Sequence, residues 1–239
     1  MKISHLPRIY ADTKLSERIL LHLEGDYYHY LKTVLRLKIN DSLRIFNGND
    51  GEFIAQITNI TKNTVSVLLV NLFKAVTREQ ELILALSIIK NDRMLDAISM
   101  AVQLGVTAIT PLIADRSQFH KINSEKMNKY IIESTEQSER LIPPALLPPI
   151  SLSEFLEQNR GIIVLYANEN EVTNKSLLTI KLQTSDNVAV IVGPEGGFSD
   201  HELSLLALKN NCFSFSLGAN VLRTETAVAA CIAQIILLR

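Results

Sequence analysis

The sequence predicts a two-part α/β protein, in which a small β-rich domain precedes a larger domain built on a mostly parallel sheet. Short alternating apolar runs separated by turn residues fill the first 70 positions. From Leu82 onward, apolar runs of strand length alternate with segments of helical period, which is typical of a parallel sheet covered by helices on both faces. Two glycine-bearing turns, GPEGG at 193–197 and LGAN at 217–220, each follow a strand-like run. Ligands of open α/β sheets bind at such strand ends.

The composition is that of an ordinary soluble globular protein, because 47% of the 239 residues are hydrophobic and 21% are charged. The last apolar run, 227–238, is too short to span a membrane, and the N-terminus lacks the apolar core of a signal peptide. We expect a cytoplasmic protein without a metal site, in which Cys212 and Cys231 are reduced core thiols. A net charge of -1 argues against nucleic-acid binding through the overall field, so any RNA-binding face must be local.

In the first part, runs at 42–46, 52–57 and 65–70 predict strands of a small barrel. Residues 26–37 have helical period and offer Lys32 and Arg36 four positions apart on one face. That face is either an ordinary exposed helix surface or, beside Tyr27, Tyr28 and Tyr30, a surface for phosphates and stacked bases. Residues 71–80 are expected to connect the two domains.

In the second part we expect strands at 82–89, 106–113, 161–166, 188–192 and 212–217. Helices are expected at 92–104, ending before Gly105, at 124–140 and at 227–238, the last capped by Thr224 or Thr226. Ser151 with Glu154, and Ser199 with Glu202, match the capping box that starts a helix. The proline pairs at 143–144 and 148–149 predict a rigid extended connection, and a polar loop is expected up to 186.

The glycine turns do not match the common phosphate-binding patterns. GPEGG has no following Gly-Lys-Ser/Thr and no G-x-G-x-x-G spacing. Glycines at these positions allow a flat adenine to approach main-chain groups closely, although two tight loops that only join strands to helices would also need them. The polar run 223–226 (RTET) lies between an apolar strand and an apolar helix, which favours a place on the rim of a ligand site.

Taken together, GPEGGFS and SLGANVLRTETAVAA resemble the ribosomal RNA small subunit methyltransferase E family of the SPOUT methyltransferases. Weaker matches extend along most of the chain, among them RIY at 8–10, VLR at 34–36, DRM at 92–94, LGV at 104–106 and EQS at 136–138.

The resemblance implies a PUA-like, RNA-binding barrel at 1–72 and a SPOUT domain with a deep trefoil knot at 73–239. It implies a homodimer that transfers a methyl group from S-adenosylmethionine to N3 of a uridine in 16S ribosomal RNA, either free or in the assembled small subunit. The residues that it assigns to the cofactor are Leu165, Tyr166, Val192, Gly193, Pro194, Glu195, Gly196, Gly197, Leu217, Gly218, Val221, Leu222, Arg223, Thr224 and Thr226.

The chemistry requires stabilisation of the anion that forms when uridine N3 loses its proton. Arg223 is the candidate for this electrostatic role, and Glu195 or Glu225 could accept the proton, although either carboxylate could instead brace Arg223 or its own loop. The cations expected to position the RNA backbone are Arg8, Lys32, Arg36, Arg93, Arg116 and Arg140, each of which could equally be a solvated surface charge.

The sequence departs from the family pattern at three positions. Met100 and Gln103 stand where Lys and Glu are common, and Asn220 stands where Arg is frequent. Two alternatives therefore stay open: a non-catalytic RNA-binding or ribosome-assembly protein that retains the fold, and a small-molecule enzyme that binds a nucleotide in the same crevice.

Overall fold

The computed structural model describes residues 3–168, 177, 180 and 182–238, and the chain divides into two units. The first unit consists of residues 1–78 together with 139–142, and the second consists of 79–138 and 143–239. The segment 139–142 is separated from the rest of the first unit by 60 intervening positions, and no local pattern in the sequence indicated its place there.

The first unit is a curled five-stranded sheet around one apolar core. Its strands are β1 (Arg8–Tyr10), β2 (Leu20–Leu23), β3 (Ser42–Asn47), β4 (Gly51–Ile60) and β5 (Val65–Lys74), in the order β1-β3-β4-β5-β2. Only the β1–β3 pair is parallel. The side chain of Asn47 accepts hydrogen bonds from the backbone N–H groups of Asn49 and Asp50, which stabilises the β3–β4 turn. Alternate residues of β3, β4 and β5 fill the core, as their period-two pattern predicts.

Two expectations for this unit are wrong in detail. Helix α1 (Asp26–Tyr28) continues only as a wider π-helical turn, His29–Val34, so the helical segment ends before Arg36. Arg36 has a φ of +56°, a value that helical residues do not adopt, so Arg36 does not share a helix face with Lys32. In addition, β5 runs to Lys74, so the connection begins after the predicted position 71.

The second unit contains a seven-stranded sheet whose pairs are all parallel. Its strands are β6 (Leu82–Ser87), β7 (Ala108–Ile113), β8 (Ala145–Leu146), β9 (Ile150–Ser151), β10 (Ile163–Ala167), β11 (Val188–Val192) and β12 (Cys212–Phe215). The order is β12-β10-β11-β6-β7-β8, and β9 also pairs with β7. Strands β8 and β9 lie in the proline-rich segment that was predicted to be a rigid extended connection. Each has only two residues, which is too few to show an alternation of apolar residues, so the sequence did not indicate them.

Helices cover both faces of this sheet. They are α2 (Asn91–Gln103), α3 (Ser124–Gln137), α4 (Leu152–Gln158), α5 (Asp200–Ala207) and α6 (Thr224–Leu238). Buried residues of α2, α3 and α6 form the core on one face, and those of α4 and α5 form the core on the other. The predicted α/β architecture with two covered faces is therefore confirmed.

The ends of several helices follow their capping residues. Both capping boxes are confirmed, at Ser151 with Glu154 and at Ser199 with Glu202. Helix α2 ends before Gly105, which has a φ of +86°. Helix α6 begins at Thr224, three positions earlier than predicted, so Thr224 and Thr226 lie within its first turn. Helix α3 ends at Gln137 rather than at 140.

Much of the polar loop predicted up to 186 lies outside the described residues. In the described part of the chain, no helix combines the length and apolar character that a membrane crossing requires. The same residues contain no group of His, Cys, Asp or Glu side chains arranged to hold a metal ion.

Candidate functional site

The two glycine turns of the second unit line one cleft at the carboxyl ends of β10, β11 and β12. Strand β10 pairs with both β11 and β12, so the segments that leave these three strands emerge side by side. We call this pocket the glycine cleft; its lining residues are Arg116, Ala167, Asn168, Val192, Gly193, Pro194, Glu195, Gly197, Phe198, Leu203, Leu217, Gly218, Asn220, Val221, Leu222, Thr224 and Ala227. The convergence predicted from the strand-end positions of the two turns is thus observed.

Close packing and local hydrogen bonds define the first glycine turn. A Cβ atom on Gly193 would lie 3.1 Å from Cζ of Phe198, so a side chain at this position would fit only if the phenyl ring moved by a few tenths of an ångström. Gly197 has a φ of +67°, and its N–H donates to the carbonyl of Pro194 over 2.9 Å. The turn is therefore built for glycine at two separate positions, for a steric reason at one and a conformational reason at the other.

Two arginines hold the same turn from outside. Nη1 of Arg93, in the first turn of α2, donates to Oε1 of Glu195 over 3.0 Å. Nη1 of Arg116, which follows β7, donates to the carbonyl of Gly196 over 3.0 Å. Both contacts join residues at least 80 positions apart, so the shape of this turn depends on tertiary structure as well as on its glycines.

A buried carboxylate supports the end of the turn. Glu202 is only 3% exposed, and it accepts hydrogen bonds from the backbone N–H groups of Asp115 and Ser199. The hydroxyl of Ser199 in turn donates to the carboxylate of Asp115. The capping box of α5 therefore also fastens the segment 115–116 to the residues that follow the first glycine turn.

The second glycine turn is more open. Gly218 has a φ of +109°, and its N–H donates to the hydroxyl of Ser216 over 3.2 Å. Apart from its chain neighbours, no described residue has an atom within 4 Å of the place where its Cβ would be. Val221 is 80% exposed although it lines the cleft. An apolar side chain this exposed at the edge of a cleft is suited to contact a ligand.

The three candidate catalytic residues are not brought together at the cleft. Glu195 lines it but forms an ion pair with Arg93. Arg223 is exposed and is not among the lining residues. Glu225, in the first turn of α6, does not line the cleft either, and its buried Oε2 atom has no hydrogen-bond partner among the residues that the structure describes.

Most of the residues assigned to the cofactor by resemblance line the cleft, and the exceptions are Leu165, Tyr166, Gly196, Arg223 and Thr226. Leu165 and Tyr166 are buried within β10, which extends to Ala167, so the cleft is lined by the next two residues, Ala167 and Asn168. The apolar pattern predicted the end of β10 at Tyr166, one residue before its observed end.

Sequence reasoning also missed Phe198, Leu203, Asn220 and Ala227, and it assigned Arg116 to RNA rather than to this cleft. A weak signal existed for the first two residues, because Phe198 adjoins GPEGG and Leu203 lies one turn into the helix that the capping box predicted. For Arg116 no local signal existed.

The six cations predicted to contact RNA have different environments. Lys32 and Arg36 are exposed in the first unit, whereas Arg93 and Arg116 hold the first glycine turn of the second. Arg140 is partly buried, and its carbonyl accepts a hydrogen bond from Nη2 of Arg8.

The expectation that Arg8 contacts RNA is not compatible with its position. Its side chain is 4% exposed, its Nε donates to Glu52 over 2.7 Å, and its guanidinium lies 3.5 Å from the centre of the Phe46 ring. Burial lowers the pKa of Arg8, and the adjacent Glu52 carboxylate opposes that shift. Arg8 is thus a core residue of the first unit, because a buried carboxylate 44 positions away compensates its charge.

The positions that depart from the family pattern lie in two environments. Met100 is 37% exposed on α2, and the side-chain amide of Gln103 donates to Ser99 within the same helix. Asn220 lines the cleft. The first two departures thus leave the cleft lining unchanged.

Cys231 lies in the core as predicted, whereas Cys212 is only partly buried. Burial raises the pKa of Cys212 to about 11 and raises the pKa of the fully buried Cys231 still further. Neither thiol is poised as a nucleophile at neutral pH, because only the thiolate reacts.

Comparisons with known proteins agree with this architecture. A family model described as an RNA methyltransferase domain matches residues 77–236, and one described as an RNA methyltransferase PUA domain matches residues 23–70. The chain is 49% identical, over 97% of its length and 95% of the relative's, to ribosomal RNA small subunit methyltransferase E of Rickettsia conorii. It is 31% identical to the protein of that name from Buchnera aphidicola, over 95% of this chain and 91% of the relative.

Solved structures give the same result. The enzyme of that name from Neisseria gonorrhoeae, crystallised with S-adenosyl methionine, has a TM-score of 0.85 and 30% identity, with 98% of each chain covered. A Legionella pneumophila protein solved in complex with the cofactor SAM has a TM-score of 0.84 and 34% identity, with 96% of each chain covered.

These likenesses extend over nearly the whole chain and include both units. They confirm the SPOUT-type α/β fold and the PUA-like N-terminal domain that the glycine-turn motifs implied. The chain belongs to the ribosomal RNA small subunit methyltransferase E family.

Proposed function

We propose that this protein transfers a methyl group from S-adenosylmethionine to N3 of a uridine in small-subunit ribosomal RNA. The observation that carries the proposal is the convergence of two glycine turns on one cleft in a chain of this family. Members with solved structures hold S-adenosylmethionine, which supports the choice of cofactor.

The residues of the cleft fit this cofactor. Val192, Leu217, Leu222 and Ala227 provide apolar lining for a flat base, and the glycine turns expose main-chain groups beside it. The phenyl ring of Phe198 fills the space behind Gly193, so the backbone there is held in one position. Walls of this kind with a few polar groups are typical of sites for nucleoside-containing ligands.

The proposed chemistry assigns separate tasks to the cofactor and to the chain. The cofactor supplies a methyl carbon activated by the positive sulfur. The chain must orient the uracil ring, exclude water and stabilise the negative charge that develops on the carbonyl oxygens as N3 loses its proton. Arg223 suits the last task, because it is exposed beside the cleft residues 221 and 222 and, in the described part of the chain, forms no ion pair.

Two carboxylates remain candidates for the proton acceptor. Glu195 lies on the cleft but shares its charge with Arg93, so accepting a proton would require that ion pair to loosen. One oxygen of Glu225 has no hydrogen-bond partner within the described ranges of the chain, which leaves it acceptor capacity. The choice between them can be tested with the pH dependence of single variants.

The target uridine must leave its stack to reach the cleft, as bases do in other base-modifying enzymes. Lys32 and Arg36 are the exposed cations of the first unit that we propose for contacts with the RNA backbone. The proposal retains the homodimer and the trefoil knot, which the family resemblance implies, and places the domain boundary after β5 rather than at residue 72. Light scattering tests the dimer.

The decisive experiment is a methyl-transfer assay on isolated small ribosomal subunits that lack the modification, followed by mass spectrometry to locate the methyl group. We expect one N3-methyluridine per subunit, and a large loss of transfer with Arg223→Ala. Binding of RNA and of S-adenosylmethionine without any transfer would favour a non-catalytic role. Binding of ATP in preference to S-adenosylmethionine would favour a nucleotide-using enzyme instead.

A further inference from the structure

We propose that Arg116 recognises the carboxylate of the amino-acid tail of S-adenosylmethionine. This inference rests on the proposed function, since it names a further residue of the same site. It replaces the expectation that Arg116 contacts the RNA backbone.

Arg116 is positioned to contact a ligand in the glycine cleft. Its side chain lines the glycine cleft, and Nη1 donates to the carbonyl of Gly196. The backbone of its neighbour Asp115 is fixed by the buried Glu202, and the Asp115 carboxylate accepts from Ser199. Arg116 is thus held at the cleft by its own hydrogen bond to Gly196 and by the contacts that fix its neighbour Asp115.

The charge of Arg116 also suits it to bind a carboxylate in the cleft. Among the described residues that line the cleft, Arg116 is the only cation and Glu195 is the only anion. The amino-acid tail of S-adenosylmethionine carries one carboxylate and one ammonium group, so a cleft that binds it requires a donor for each negative oxygen. A guanidinium can offer two parallel N–H groups to a carboxylate.

A comparison with Arg93 shows why Arg116 is the available cation. The charge of Arg93 is already compensated by Glu195 at 3.0 Å. Arg116 donates instead to a neutral carbonyl, and in the described part of the chain it forms no ion pair. Its positive charge is uncompensated, and most of its five N–H donors are unused by that one hydrogen bond. An exposed guanidinium in this state can bind a carboxylate without first breaking an ion pair.

The test compares two ligands by calorimetry on the full chain without RNA. S-adenosylmethionine and its decarboxylated form differ only in the carboxylate. We expect Arg116→Ala to weaken binding of S-adenosylmethionine about 10- to 100-fold, as the loss of a hydrogen-bonded charged contact does. Binding of the decarboxylated form should change by less than about threefold, because that ligand lacks the group Arg116 contacts.

Two further variants complete the design. Arg116→Lys should retain part of the preference for S-adenosylmethionine, because an ammonium keeps the charge without the paired donors. Arg160→Ala is the matched control, since Arg160 is an exposed arginine of the same unit that pairs with Glu157 and does not line the cleft. The Arg160→Ala variant should bind both ligands with the same affinity as the wild type.

The outcomes separate the possibilities. An equal loss for both ligands in Arg116→Ala would show that Arg116 only shapes the first glycine turn, and it would overturn carboxylate recognition. No loss for either ligand would overturn it as well. If the wild-type chain bound neither ligand, the proposed function itself would fail and this inference with it, whereas failure of Arg116 alone leaves methyl transfer intact.

Discussion

Replacing Glu52 with alanine should destabilise the first unit strongly. Glu52 is 2% exposed in its side chain, and its Oε1 lies 2.7 Å from Nε of Arg8 and 3.6 Å from Nη1 of Arg44, whose side chains are 4% and 5% exposed. Removing the carboxylate takes away the buried anion that contacts both Arg8 and Arg44; Arg44 also pairs with Glu139, which is half-exposed. Breaking a buried ion pair in this way costs about 3–5 kcal/mol in the free energy of unfolding.

The assay is urea unfolding combined with hydrogen exchange of peptides from β3 and β4, so that the first unit is followed separately. The urea midpoint of these peptides should fall by about 1 M or more. Glu24→Ala is the control within the same unit, because Glu24 is exposed and accepts a hydrogen bond from the hydroxyl of Thr64. This substitution should change the free energy of unfolding by less than about 0.5 kcal/mol. If Glu52→Ala cost no more than Glu24→Ala, the assignment of Arg8 to a compensated core site would be refuted.

Three other outcomes are expected. Gly193→Ala should lower the affinity for S-adenosylmethionine in calorimetry by about 1–3 kcal/mol, because its Cβ would lie 3.1 Å from Cζ of Phe198; unchanged affinity would show that the turn yields freely. Since burial raises the pKa of Cys212 to about 11 from 9.0, the folded state holds that proton more tightly. The stability that the protonated Cys212 thiol contributes is complete below pH 9 and is lost as the pH rises towards 11. Iodoacetamide at pH 8 should therefore label Cys212 more slowly in the folded chain than in urea. Arg36→Ala should weaken RNA binding in a filter assay by about 1 kcal/mol and leave S-adenosylmethionine affinity unchanged; an equal loss of both would contradict the separate roles of the two units.

Much of the fold followed from local patterns. The capping boxes at Ser151 and Ser199 marked where α4 and α5 begin, because a cap is completed by groups three positions apart. The periodicity of apolar residues located the long strands of both units, and it missed the short strands β1, β2, β8 and β9. Helix ends were displaced by a few residues, as at Thr224, since apolar period does not register a polar first turn.

The candidate site was predictable to the extent that it is made of turns. Gly193, Gly197 and Gly218 were identified from sequence because the position of a glycine after a strand is a local signal. The roles of the charged residues were not predictable in this way. Arg8, Arg93 and Arg116 were all expected to contact RNA, and the structure places each in a different environment.

The sequence by itself thus determined the class of the longer strands and of the helices, the two glycine turns and the family to which their motifs belong, because these depend on residues close together in the chain. Only the tertiary structure decided which charges are compensated and which are available. Arg8 meets Glu52 across 44 positions, Arg93 meets Glu195 across 102, and Arg116 meets a neutral carbonyl across 80. The availability of a charge depends on the groups that folding brings next to it, and the order of strands in the sheet sets those neighbours.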